Sequence, residues 1–179
     1  MTVTSSNLIQ GPATLFVGVF GVTEPATISD APGNGWTNLG GTRDGVELTI
    51  AKEYAVLSVD QIVDEIGRTV TSRMVSIATT LAEATLANLA HAINETAPTA
   101  GVFTPDTNAA AFTPPYQAII LDGLAPGGFR RRVIVRKVLS TDSVGMAYQK
   151  DGMTVIPVTL MGHWVSTSVA PFSITDASA

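Results

Sequence analysis

The nearest approach to a reactive pair in this chain is acidic. Asp60, Asp64 and Glu65 fall close together in YAVLSVDQIVDEIGRT, which ends near Arg68. Paired carboxylates serve hydrolysis or calcium binding. This stretch lacks the spaced Asp/Asn ligands and central Gly of a calcium loop, and no third group beside it supports acid–base work. It reads as a solvated or subunit-facing acidic loop. The two histidines, His91 and His163, have no carboxylate at metal-ligand spacing such as H-E-x-x-H. They read as a helix-surface histidine and a strand histidine next to Trp164. No serine sits in G-x-S-x-G. Asn34-Gly35 lies in P-G-N-G, which lacks the Lys-Ser/Thr of a phosphate-cradling loop. With no cysteine there is no thiolate ligand, thiol nucleophile or disulfide. The residues therefore predict no catalytic or metal centre and no cofactor.

The one charge anomaly is FRRRVIVRK. Arg130, Arg131, Arg132, Arg136 and Lys137 are five of the chain's ten Lys and Arg residues. On a strand, Arg130, Arg132 and Arg136 share one face, and Arg131 and Lys137 share the other with Val133 and Val135. Three readings are open: a solvated strand end, a stripe for nucleic acid, or pairing with acidic residues of a neighbouring subunit. A net charge of −5 and the lack of interleaved aromatics weigh against the second. Planar, weakly hydrated guanidinium suits the third, with the 60–65 loop as the obvious counterpart.

Only 14% of the 179 residues are charged, against about 25% in an average soluble domain. A monomer so poor in charge leaves much uncharged surface in water, which favours an oligomer. The length fits one domain burying roughly 70% of its unfolded surface. MTVTSSNLIQGP carries neither a basic nor an apolar leader region, so no secretory signal is expected, and no run of about 20 apolar residues predicts a membrane span.

The elements that must position these residues are mostly strands. GVELTIAKE alternates Val46, Leu48 and Ile50 with Glu47, Thr49 and Ala51, the period of a strand with one buried face. A long loop over 54–68 follows, then TVTSRMVSIATT, rich in β-branched residues, as a second strand. The pattern then switches: Leu86, Leu89, Ala90 and Ile93 fall at i, i+3, i+4 and i+7, one stripe of a helix over 81–94. Thr80 and Glu83 have capping-box spacing. So short a helix is marginal alone and needs Leu86, Leu89 and Ile93 docked on a sheet, at about 1.5–3 kcal/mol each. Further strands are predicted over 13–21, 116–123, 129–140 and 153–165, with a short strand and then a turn over 36–45. Turns are expected at Gly40-Gly41 and Asp44-Gly45, and a short strand with an Asp151-Gly152 hairpin over 142–152. Pro157 cannot donate to a ladder and so marks an edge or a bulge. Residues 95–115, with four prolines, form a long loop. Residues 1–11 and 166–179 read as extended arms around one domain over 12–165. The fold class is mainly β with one α-helix.

Taken in order, GPATLFVGVFG, PGNGWTNLGGTRDGVELTI, SVDQIVDEIG and TSRMVSIATTLAEATLANLA resemble the tail tube (major tail) proteins of long-tailed, siphovirus-type bacteriophages, over about residues 11–95 and more loosely beyond. The resemblance implies a β-sandwich or partial barrel flanked by one helix. Six copies would close a ring through a continuous inner β-barrel, and stacked rings would form the conduit for the genome. Residues 54–68 would be the loop stacking on the next ring, and the termini would bridge subunits. Inter-subunit contacts would then fall on Asp60, Asp64, Glu65, Arg68 and the arginine run. The implied partners are further copies of the chain, a tape measure protein in the bore, tail terminator and tail tip or baseplate proteins, and DNA in transit without sequence-specific binding. The implied location is the virion tail, with host cytoplasm during assembly. The rival expectation is a β-sandwich module that binds carbohydrate or decorates a capsid, for which Trp36, Trp164, Tyr116 and Tyr148 would have to form an aromatic platform.

Overall fold

A computed structural model describes residues 3–107 and 112–177. The chain is mainly β, with one helix. Its strands are β1 (Thr14–Val19), β2 (Trp36–Asn38), β3 (Thr42–Leu57), β4 (Gly67–Leu81), β5 (Gln117–Leu124), β6 (Arg130–Ser140), β7 (Ile156–Gly162) and β8 (Phe172–Asp176); the helix, α1, spans Leu86–Ala92. All eight strands belong to one antiparallel sheet ordered β2-β1-β5-β6-β7-β4-β3, with β8 on β6. Against the expected β-sandwich or partial barrel, the strands form one sheet with β2 and β3 at its ends. It is rolled so that Leu15 and Val17 at one end share a core with Val75, Ile77, Val133, Val135, Ile156 and Leu160.

Alternation explains which residues line that core. The register Leu15↔Leu121↔Val133 and Val17↔Ile119↔Val135 puts one side chain of each pair of positions inward, and Leu48↔Ile77↔Leu160 continues the row across the far half. β5 is buried on both faces over Gln117–Ile120; on the outer side Gly21, Val22 and Glu24 lie beside Ala118, and Arg130, Arg132 and Arg136 of β6 hold the 20–35 segment in place. A run of consecutive buried positions is what a doubly covered strand requires.

Several sequence expectations are corrected. The helix is α1 at 86–92, not 81–94. Its N-cap is Thr85, whose side chain accepts from the Asn88 N–H. Thr80 lies within β4, and Glu83 instead accepts from the Gly41 N–H, so the capping box does not form. Leu89 packs on the core, Ile93 is half-buried, and Leu86 is 40% exposed. Ala90 and Ala92 take the buried stripe, so small residues set the close approach of helix to sheet. Asp44-Gly45 is not a turn but a bulge inside β3, where both residues have positive φ (64° and 83°) and the register slips between Arg43 and Val46. The 54–68 loop shrinks to 58–66, because Tyr54–Leu57 and Gly67–Val70 extend the β3–β4 ladder. Residues 142–152 hold only an isolated bridge, Gln149↔Gly152. The C-terminal arm is not free: β8 pairs with β6 of its own chain.

Pro157 matches its expectation locally. It pairs with Thr80 of β4, and β6 meets β7 only over Leu160–Gly162, leaving the Pro157 nitrogen side without a ladder partner. Residues 3–11 have no strand or α-helix and only a 3₁₀ turn at Ser5–Asn7. The first and last two residues of the arms and residues 108–111 of the proline-rich loop lie outside the described residues.

Candidate functional site

The arginine run is satisfied within its own chain. Arg132 donates from Nε and a terminal nitrogen to both Asp122 oxygens, at 2.7 Å each, and from its other terminal nitrogen to the Thr27 carbonyl. Its side chain is 3% exposed. Arg136 grips Glu24 at 2.6 and 3.0 Å and also donates to the Ala170 carbonyl. Arg131, on the opposite face, grips Asp176 at 2.6 and 2.7 Å and so pins β8. Arg130 donates to the Ile28 carbonyl. Within the chain, the forks of Arg131, Arg132 and Arg136 hold Asp176, Asp122 and Glu24, not the 60–65 loop that the sequence offers as counterpart. The hydrogen bonds raise the pKa of Arg131 and Arg132 above the ordinary arginine value, and the Arg131 fork lowers that of Asp176.

One of these partners could have been found by counting. Asp122 and Arg132 are equidistant from the turn joining β5 to β6, so hairpin register alone sets them opposite each other. Glu24 and Asp176 lie 112 and 45 residues from their arginines, and no local pattern marks them.

The acidic stretch lies at the tip of a projecting hairpin. β4 pairs with β7 only over Ser76–Leu81, and Val75 and Arg73 still touch the body, so Gly67–Ser72 and the matching part of β3 form a two-stranded ribbon beyond it. Glu65 and Arg68 pair with each other there, which raises the Arg68 pKa. Asp60 and Asp64 are exposed and have no hydrogen bond or ion pair among the described residues. Ile50, Tyr54 and Val56 occupy one face of the β3–β4 hairpin with Val70; all four are 41–53% exposed. The same face carries Lys52 directly opposite Arg73, a like-charge pair that is unfavourable unless an anion lies near. At the tip Val59, Ile62, Val63 and Ile66 are also exposed, Val63 fully.

His91 and His163 are not brought together. His91 lies on α1, and burial lowers its pKa, partly offset by the neighbouring Gln117 side chain. The His163 ring meets Tyr116 edge-on at 5.5 Å, and Lys137 lies 4.2 Å over the other ring. Of the four rings a platform would need, Tyr116 and Trp164 flank His163, whereas Trp36 donates to the Thr23 carbonyl on the other side of the sheet and Tyr148 is 80% exposed in the 142–152 segment. Among the described residues no three His, Asp or Glu side chains gather as a metal site, and no helix is long and apolar enough to cross a membrane.

Sequence reasoning missed the buried polar groups around α1. Asn88 donates to the carbonyls of Leu39 and Glu83, and Asn94 exchanges two bonds with the Ser140 backbone. Gln117 is 5% exposed; its amide donates to the His91 carbonyl and leaves Oε1 buried without a partner. No protein-family model matches the chain, nor does any curated protein.

Proposed function

We propose that the chain is a structural subunit of a bacteriophage tail tube, with no catalytic role, that assembles with further copies into stacked rings enclosing a passage for DNA. The observation that carries this reading is the β3–β4 ribbon. A two-stranded hairpin is marginal in water, and this one exposes an apolar row that continues the core face of the body. It also leaves the outer edge of a 16-residue strand unpaired. Such an edge is an aggregation hazard in a monomer and a joint in a polymer. Pairing that edge and covering that row with another copy supplies what the single chain lacks, by a head-to-tail contact that closes on rotation.

The stacking element in this reading is the ribbon with its 58–66 tip, presenting Asp60 and Asp64, while Glu65 and Arg68 hold the tip. Arg130 is the arginine of the run that makes no ion pair among the described residues. The test is negative-stain microscopy of the purified chain beside a variant in which residues 53–72 are replaced by Asn-Gly, which keeps the Lys52↔Arg73 register. The intact chain is expected to give rings or tubes, and the shortened one to fold and stay dispersed. Discrete particles from both, or tubes from both, would overturn the proposal.

A further inference from the structure

Asn34-Gly35 is the chain's one Asn-Gly pair, and the fold leaves both of its reacting groups free. Residues 33–36 close a turn in which the Trp36 N–H donates to the Gly33 carbonyl at 3.2 Å, with Gly35 in the left-handed region at φ 93°. Asn34 is exposed, and neither its side chain nor the Gly35 N–H has a hydrogen bond among the described residues. The other described asparagines are placed differently. The side chains of Asn38, Asn88 and Asn94 are held by hydrogen bonds, and Asn7 is followed by the branched Leu8.

The Gly35 nitrogen can attack Cγ of Asn34, because residue 35 has no Cβ to crowd the approach and turns freely to present it. The new N–Cγ bond forms as the bond from Cγ to the side-chain nitrogen breaks. That nitrogen leaves as ammonia, taking the Gly35 proton. One water then opens the cyclic imide. Opening at the side-chain carbonyl leaves aspartate; opening at the main-chain carbonyl leaves a β-aspartyl link, with one more methylene in the backbone. Water is the only co-reactant.

We infer that Asn34 is a self-modification site whose β-aspartyl product releases β2 and the 20–35 segment from the sheet. The turn has little room for the added methylene. It is seated closely on β1: a Cβ on Gly18 would lie 3.0 Å from the Gly35 carbonyl oxygen and 3.2 Å from the Trp36 ring. Trp36 pairs with Gly18, and its Nε1 donates to the Thr23 carbonyl at 2.9 Å, which ties β2 to the 20–35 segment. β2 has three residues and one ladder partner, so the turn sets how it meets β1. Trp36 and Val22 also wall a cavity of about 250 Å³ over Ala118 and Ile134, which their displacement opens to water. The inference is independent of the assembly reading above.

The test is ageing of the full-length protein in warm, mildly alkaline buffer, followed by mass-spectrometric peptide mapping with chromatography that separates aspartyl from β-aspartyl peptides. Asn34 is expected to convert about tenfold or more faster than Asn7 or Asn38, and to both products. Like rates at the three positions would overturn the inference, as would conversion of Asn34 in urea but not in the folded chain. Hydrogen exchange tests the mechanical part. Amides of Trp36–Asn38 are expected to exchange about tenfold faster in the β-aspartyl fraction, and at the parent rate in Asn34→Asp, which carries the charge without the methylene. Equal exchange in the two would mean that the turn absorbs the longer backbone, which overturns the release of β2. Asn34→Gln, whose longer side chain closes a larger and slower ring, is expected to keep β2 protected through the same ageing. Loss of that protection in Asn34→Gln would place the damage elsewhere and overturn the assignment to Asn34.

Discussion

Asp122 and Arg132 face each other across the β5–β6 ladder and close a two-bond ion pair beneath the 20–35 segment, with side-chain exposures of 13% and 3%. A carboxylate stranded there by loss of its arginine has little water to turn to. Arg132→Met is therefore expected to cost about 3–5 kcal/mol, whereas Asp122→Leu with Arg132→Met together is expected to be near neutral or stabilising. Urea denaturation of both variants checks this. A cost below 1 kcal/mol for Arg132→Met would mean that the pair is hydrated.

The same pair marks how far the sequence could be read. Strand periodicity located β1, β5 and β6 to within about two residues, because each alternates or runs apolar between clear turns. Arg130–Arg136 stood out as a charge anomaly. Its meaning did not, since two of the three carboxylates that neutralise it arrive from the distant residues 24 and 176. The helix was misjudged for a related reason. TTLAEATLANLAHAIN has helical spacing throughout, but β4 pairing with β3 and β7 carries the chain in extended form to Leu81. The ribbon was hidden by its charges: Asp60, Asp64, Glu65 and Arg68 made its outer quarter look like loop.

Thr85 and Asn88 replace the expected capping box, and they separate by substitution. Thr85→Ala removes the cap and is expected to cost about 1 kcal/mol. Asn88→Ala leaves the buried Leu39 carbonyl without its donor as well and is expected to cost about 1–3 kcal/mol. Thr80→Ala, which the sequence pattern would place at the cap, is expected to leave α1 intact. Thermal melts followed by circular dichroism rank the three, and a larger loss from Thr80→Ala than from Thr85→Ala would contradict the assignment.

Two groups give stability a pH dependence of known sign. Burial lowers the His91 pKa below 6.5, so the folded state binds its proton less readily than the unfolded chain. Its contribution is full above that value and is lost as pH falls from it through the lowered folded value. Asp176 is lowered from 3.8 by Arg131, so the hold on β8 is full above 3.8 and is lost as pH falls through the value in the folded chain. The Arg131–Asp176 pair is well exposed, so its effect on global stability is small. Hydrogen exchange is the sensitive probe. Amides of Phe172–Asp176 are expected to lose protection in Asp176→Asn at neutral pH, while those of β5 stay protected. His91→Gln is expected to flatten the mildly acidic slope of the denaturation midpoint; an unchanged slope would place the titration elsewhere.

Val56 and Val70 test whether the ribbon's exposed row is a contact surface or ordinary surface. They sit on the two strands of the ribbon, 53% and 48% exposed, far enough from the body that neither touches the shared core. Substitution of either by Glu is expected to change folding stability by no more than about 0.5 kcal/mol, as at other surface positions. If the row is covered by another copy, the same change buries a charge and is expected to weaken assembly at least tenfold, about 1.4 kcal/mol. Asp60→Asn and Asp64→Asn at the tip are expected to weaken assembly less, because exposed charges contribute little individually. Sedimentation of each variant across a concentration series, set beside its urea midpoint, measures both quantities on one sample. Val56→Glu that assembles like the parent chain would show that the ribbon's apolar face stays in water, and the unpaired β3 edge would then need another explanation.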